Sequence, residues 1–220
     1  MAKYLKDVMF GIQKFNRKEE LSEEEKVVSR YSWLIEELYN FYLPSEIEIG
    51  NNIWRFKINL TTDKAFNNAT EELGQCRDYY IYLEAGFLSG KNNLKAKLAL
   101  VKLFSKGIQI CCEIYKYPVA EFKLIEEKII NEGVIFDKNF ESRKVSPDKK
   151  HSAQMRGFLS ENYDERKLFL DVTDSNGNVN SFLIGNYFFK AFDRIKWQDN
   201  NTVFVYHINP IQSYKRKKGC

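Results

Sequence analysis

A chain of 220 residues holds one large core or two small ones, and Lys+Arg 34 against Asp+Glu 30 leaves a net charge of +4. With 44% hydrophobic and 15% aromatic residues, it is too apolar for a disordered protein. The longest uninterrupted apolar run is about five residues, Tyr79 to Leu83, whereas a membrane helix needs ~20. Residues 1–11 place Lys6 and Asp7 where a secretory signal has its apolar core.

The expected compartment is therefore the cytosol. The cysteines agree: Cys111 and Cys112 are adjacent, Cys76 and Cys220 are isolated, and no Cys-x-x-Cys occurs. His151 and His207 are the only histidines and lie far apart, so no His-x-x-x-His metal pair forms. Glycine-rich phosphate loops and a Gly-x-Ser-x-Gly elbow are absent too. No cofactor is implied. Lysine outnumbers arginine 25 to 9, a bias that points to an AT-rich genome.

The chain changes character near Gly133. Residues 1–133 carry 19 basic and 20 acidic side chains, and residues 134–220 carry 15 and 10. The expected fold class is α+β: a mixed part over 1–133 with helices packed on a sheet, a mainly antiparallel β module over 134–214, and a basic tail over 215–220.

In chain order, Tyr4, Leu5, Val8, Met9, Ile12 and Phe15 have helical spacing, predicting a first helix over 2–15. Ser22 to Glu25 form a capping box. Val27, Val28, Tyr31, Leu34, Ile35, Leu38 and Tyr42 then define one apolar face, and Pro44 stops the helix. Trp33, Glu36 and Glu37 fall on the opposite side. That side is either covered by a second element or presents Trp33 as an anchor for a protein partner. Ile47 and Ile49 alternate before a turn at 50–52, Trp54, Phe56, Ile58 and Leu60 share a face, and 79–83 reads as a buried strand.

A helix is predicted over 93–106, with Leu94, Leu98, Val101 and Phe104 inward and Gly107 as terminator. Lys91, Lys95, Lys102 and Lys106 fall on one side of its wheel, a solvated face or a phosphate-tracking stripe. Ile108, Ile110 and Cys112 then read as a strand, and Pro118 opens a further helix with Val119, Phe122, Ile125 and Ile129 inward. Glu126 falls inside that apolar arc, where a carboxylate must be paired or raised in pKa. Glu121-x-Lys123 has the spacing of a nuclease triplet, but on a helix rather than a strand.

The remainder is punctuated by turns at Ser146-Pro147-Asp148, Asp174 to Asn178, and Asp199-Asn200-Asn201. Leu168, Leu170 and Val172 face one way, Ile195 and Trp197 share a face, and Val203, Val205 and His207 alternate. An antiparallel sheet, with a small sandwich as its form, is expected, and Asn176-Gly177 is the strongest hairpin signal. His151 and His207 fall on predicted strands.

Ser146-Pro147-Asp148, Leu170-Asp171-Val172-x-Asp174 and Ile195-x-Trp197-x-Asp199-x-x-Thr202 together resemble a recurrent bacterial β-module, of the kind seen in single propeller blades and in small proteins of low-GC bacteria. The resemblance covers about a third of the chain and implies a lone β-module, with no functional residues carried over. In its general features the whole chain is also similar to bacterial immunity proteins. The chain ends in four consecutive basic residues, Lys215, Arg216, Lys217 and Lys218, which form a solubilising end or a grip on nucleic acid.

The function expected is a cytosolic, non-catalytic protein-binding protein, with an immunity protein neutralising a toxin as the favoured case. Nucleic-acid binding through the lysines is the alternative, and no membrane partner is expected.

Overall fold

The computed structural model describes residues 5–13, 20–44, 53–139, 143–160, 166–185 and 192–207. Phe192, Asp193 and His207 are described in their backbone only. The fold is α+β, with three helices and eleven strands among the described residues. The chain divides into two compact units, Met1–Ile135 and Phe136–Cys220. The predicted strand at 47–49, the turn at 50–52 and the basic tail from Lys215 to Lys218 lie outside the described residues.

The first unit is a four-stranded sheet in the order β1-β2-β4-β3. Strands β1 (Asp7–Ile12), β2 (Arg55–Thr61) and β4 (Cys76–Tyr82) are parallel, and β3 (Thr70–Leu73) runs antiparallel to β4. The segment expected to open the chain as a helix is therefore strand β1. Its residues satisfy both periods. Val8 and Phe10 alternate inward, whereas Leu5, Val8, Met9 and Ile12 share a helical arc, and pairing of Val8 with Phe56 and of Phe10 with Ile58 settles the matter.

Helix α1 (Glu23–Tyr42) starts at the predicted capping box, with the Glu25 N–H donating to Ser22 Oγ and the Ser22 N–H donating to the Glu25 carboxylate. Leu43, pressed by Pro44 into extended backbone, ends it. Its apolar face meets the sheet, and Phe10 stands edge-on to Tyr39 and stacked on Phe104.

Helix α2 (Asn93–Tyr115) corrects two expectations. It runs through Gly107, and the residues read as a strand, Ile108 to Cys112, are its continuation. Ile108, Cys111 and Cys112 extend the buried stripe of Leu100, Val101 and Phe104. The helix ends at Lys116, whose left-handed backbone (φ 61°) forms the C-cap. Leu94, expected inward, is exposed, and Ala96 takes the inward place.

Gly107 marks a close approach rather than an end. A Cβ there would lie 2.5 Å from Ile58 Cγ2 and 3.0 Å from Ile81 Cδ1. Helix α3 (Val119–Asn131) opens after Pro118 and buries Phe122, Ile125 and Ile129, as its spacing predicts.

The second unit is antiparallel. Strands β5 (Phe136–Asn139), β7 (Ser152–Leu159), β8 (Arg166–Thr173) and β9 (Val179–Gly185) follow that order, and β6 (Lys144–Val145) also pairs with β7. Strands β10 (Phe192–Trp197) and β11 (Val203–His207) form a separate hairpin. Ile195 joins Ala153, Met155, Leu168 and Leu170 in one core, with Val172, Trp197, Val203 and Val205 around it. Two β layers thus face each other.

The turn residues tie the layers together. Asp148 N–H donates to Asn200 Oδ1 at 3.0 Å, and Trp197 Nε1 donates to the Lys144 carbonyl at 3.0 Å. Ser146 Oγ receives the His151 N–H at 3.0 Å. The Asn176-Gly177 turn joins β8 to β9, with Asp174 Oδ1 accepting from the Asn176 and Asn178 N–H groups.

The Gly107 contact yields a direct test. Alanine there gains helix propensity of about 1 kcal/mol but must displace two side chains inside the core, an overpacking cost of about 1–3 kcal/mol. Gly107→Ala should lower the midpoint of thermal unfolding, and Gly107→Val should lower it further. A raised midpoint for Gly107→Ala would show that the helix–sheet contact is slack.

Candidate functional site

The structure separates the residues expected to bind a partner through α1. Asn40 behaves as a length of strand: its Oδ1 accepts the Val8 N–H at 2.8 Å and its Nδ2 donates to the Val8 carbonyl at 3.0 Å. Glu36, one turn earlier, accepts the Phe10 N–H at 3.0 Å. Trp33 and Glu37 are half-buried on the same side of the helix. This side of α1 therefore closes the outer edge of β1, and Glu36 is turned to the strand rather than to solvent.

Burial raises the Glu36 carboxyl to about 7, with the nearby Glu37 and Asp7 charges adding to the effect. The Phe10 N–H and Arg55 oppose it.

Glu126 is half-buried where α2 meets α3. Its carboxyl is raised, chiefly by burial, and receives Gln109 Nε2 at 3.3 Å. Beside it the Tyr39 and Ser105 hydroxyls share a short hydrogen bond, and Ser105 Oγ donates to the Val101 carbonyl at 2.7 Å. The group ties three helices together through polar contacts. Glu121 and Lys123 are exposed on α3, not on paired strands.

His151 is half-buried in the loop before β7 rather than on a strand, and its Nδ1 is buried with no hydrogen-bond partner. The side chain of His207 lies outside the described residues. Among the described residues no three His, Cys, Asp or Glu side chains could hold a metal ion.

Lys95, Lys102 and Lys106 are exposed on one side of the continuous helix α2, and Lys91 lies before it. Lys91 precedes the α2 cap residue Asn92 and folds onto Phe87, donating to its carbonyl with its ammonium 5.1 Å from the ring centre. Lys95 is exposed in the first turn. Lys102 lies near enough to Glu126 to favour its charged form. Lys106, one turn after Lys102, lines a groove.

That groove encloses about 360 Å³ beside the C-terminal half of β4. Strand β3 pairs only with Cys76–Tyr79, so the upper edge of β4 is finished by the loop after a single 3-10 turn at Lys64–Phe66. Asn68 donates its N–H to the Tyr80 carbonyl at 2.9 Å, and the Tyr80 N–H donates to the Ala69 carbonyl. Asn68 adopts a left-handed backbone (φ 62°), which asparagine tolerates.

The Tyr82 N–H donates to Asn67 Oδ1 at 3.0 Å, and the Tyr79 hydroxyl donates to Asn68 Oδ1 at 2.7 Å. Ile81 and Leu83 of the sheet and Leu103 and Ile110 of α2 supply apolar lining. Glu84, Phe87, Tyr82 and Lys106 complete it. The loop holding Phe87 is clamped by the Glu24 carboxylate, which accepts the N–H groups of Gly86 (2.9 Å) and Leu88 (2.6 Å).

A second surface lies on the other unit. Strand β9 is the last in its sheet, with a sequence, VNSFLIG, that contains no charge. Val179, Phe182 and Leu183 are 57%, 54% and 58% exposed. Phe182 pairs with Leu170 on the core face, and Leu183 pairs with Phe169 on the outer face, so the edge is apolar on both sides. Inboard of it, Arg156 is bound by Asp171 and Asp137 and lies over the Phe169 ring.

Comparison with protein-family models, curated proteins and solved structures finds no match to the chain.

The edge closure by Glu36 carries a pH signature. A carboxyl whose folded pKa stands near 7, above its ordinary value of 4.5, favours folding fully below pH 4.5, and that contribution is lost as pH rises through 7. Glu36→Gln keeps an acceptor for the Phe10 N–H without the buried charge. It should be more stable than the parent at pH 8, by on the order of 1–3 kcal/mol, and should lose that advantage by pH 4.5. Urea unfolding of both proteins at the two pH values measures the difference, and a constant gap would refute the assignment.

Proposed function

We propose that the chain is a protein-binding protein that takes up an extended segment of a partner along the edge of β9 that no other described strand covers. The observation that carries this reading is the uncharged terminal strand with three exposed apolar side chains. Sheets ordinarily protect such edges with lysine, proline, bulges or a covering element. An incoming strand pairs its main chain with the open edge, and its alternate side chains meet Phe182 on one face and Val179 and Leu183 on the other.

The excess of basic residues over 134–220, 15 against 10 acidic, favours a segment that carries acidic residues. In the immunity or inhibitor form of the proposal, that segment belongs to a toxin and its occlusion is the whole activity. This finer version rests on the same edge and on no further residue. A cytoplasmic location accords with the unpaired thiols of Cys76, Cys111 and Cys112. No described helix is long and apolar enough to cross a membrane.

Affinity capture of the full chain from its native cells, with mass spectrometry of what co-purifies, supplies the partner. Hydrogen exchange of the complex then locates its footprint. Amides of residues 179–185 should gain protection, and Leu183→Glu should weaken binding by about ten- to a hundredfold while leaving the unfolding midpoint within a few degrees of the parent. A partner that binds Leu183→Glu at full strength and leaves 179–185 unprotected would overturn the proposal.

A further inference from the structure

The groove between β4 and α2 has a composition that strand pairing on the other unit does not call for. We propose that it binds a nucleoside phosphate, either free or as one unit of a single strand, with the base in the apolar slot and the phosphate beside Lys106. The inference goes beyond protein binding and does not depend on it.

The polar groups are fixed in role by their other bonds. Only oxygen can accept the Tyr82 N–H, so the amide of Asn67 must keep its Nδ2 unengaged as a donor. Asn68 accepts the Tyr79 hydroxyl through Oδ1, which leaves its Nδ2 as a second donor. Glu84, exposed at the same groove, is an acceptor. Two amide donors and one carboxylate match the edge of a nucleobase, which presents ring nitrogens and carbonyls as acceptors and exocyclic amines as donors.

Stacking partners are present as well. Tyr82 and Phe87 both line the groove. Each has an ammonium over one ring face, Lys64 at 5.3 Å from the Tyr82 centroid and Lys91 at 5.1 Å from that of Phe87. Lys106 lines the groove itself, and Lys64 and Lys91 lie over the two aromatic rings that line it. Aromatic faces beside lysines, with little arginine, suit stacking and phosphate attraction without strict base reading. The volume of about 360 Å³ lies at the small end for ligand pockets, which fits one nucleotide unit rather than several.

The slot exists because its walls are rigid. Leu103, Lys106 and Ile110 bracket Gly107 on α2, where the helix is pinned against Ile58 and Ile81. Phe87 is held by the clamp of Glu24 on both neighbouring amides.

The test uses the full chain and four nucleoside monophosphates, a six-nucleotide single strand, and inorganic phosphate alone, each titrated by calorimetry at two salt concentrations. At least one monophosphate should bind, more weakly at higher salt, and inorganic phosphate should not match it. Tighter binding of the six-nucleotide strand than of its monomer would identify a strand as the source, and equal binding would identify the free nucleotide.

Lys106→Glu and Phe87→Ala should each weaken binding by about ten- to a hundredfold, with circular dichroism melting showing that both variants fold. Asn67→Asp, which removes a donor and keeps the acceptor for Tyr82 N–H, should change the preference among bases. Absence of binding by every nucleotide and strand at millimolar concentration would overturn the proposal. So would binding that survives both Lys106→Glu and Phe87→Ala unchanged.

Discussion

The approach of helix α2 to the sheet at Gly107 governs the first unit. A helix that lacks a side chain at its point of closest contact can settle onto Ile58 and Ile81. The residues around Gly107 then divide between two environments. Phe104 and Ile108 go into the core, while Leu103, Lys106 and Ile110 line the groove. The same contact therefore sets both the packing of the interior and the depth of the recess. A longer side chain at 107 would lift the helix and open the groove floor between Ile81 and Leu103.

The two units treat their sheet edges in opposite ways. In the first, the outer edge of β1 is closed by side chains acting as strand, and the opposite edge ends in β3, a short exposed strand that carries Glu71 and Glu72. Asn40 and Glu36 bond to β1 on one side, and the Asn67 amide takes the last free N–H of β4 on the other. Closing β1 with a carboxylate raises that group's pKa through burial, which outweighs the opposing Phe10 N–H bond. In the second unit the hairpin of β10 and β11 covers the face of the sheet, but β9 remains its last strand with apolar residues displayed.

Local signals were legible in the sequence, and signals that depend on a distant partner were not. The capping box of α1, the stop at Pro44 and the turn at Asn176-Gly177 each involve residues within a few positions, and each forms as read. Strand β1 was misread because Val8, Phe10 and Ile12 satisfy a two-residue period, while Tyr4, Leu5, Val8, Met9 and Ile12 satisfy a helical one. Six residues are too few to decide between them without β2. Gly107 was taken as a terminator because glycine ends helices when only the chain itself is considered, and the close approach of Ile58 and Ile81 is invisible in the local sequence.

For the groove, only its cations announced themselves. Lys91 and Lys106 were visible as charge, yet their wheel positions said nothing of Phe87 or Lys64. The role of Asn67 and Asn68 follows from the shortness of β3, which leaves the end of β4 for a loop to finish.

That division has a physical root in how each element is stabilised. A capping box satisfies its own donors within one turn, so sequence and geometry coincide. An asparagine side chain that stands in for a strand works only when the edge it serves lies within about 3 Å of it, and nothing in the asparagine itself specifies that edge. The same asparagine then has an amide nitrogen whose direction is dictated by the bond its oxygen makes. Asn67 is thus structural at one atom and available at the other. A residue divided in this way keeps its donor in place without reorganisation when a ligand arrives, which is the condition for a small groove to hold one.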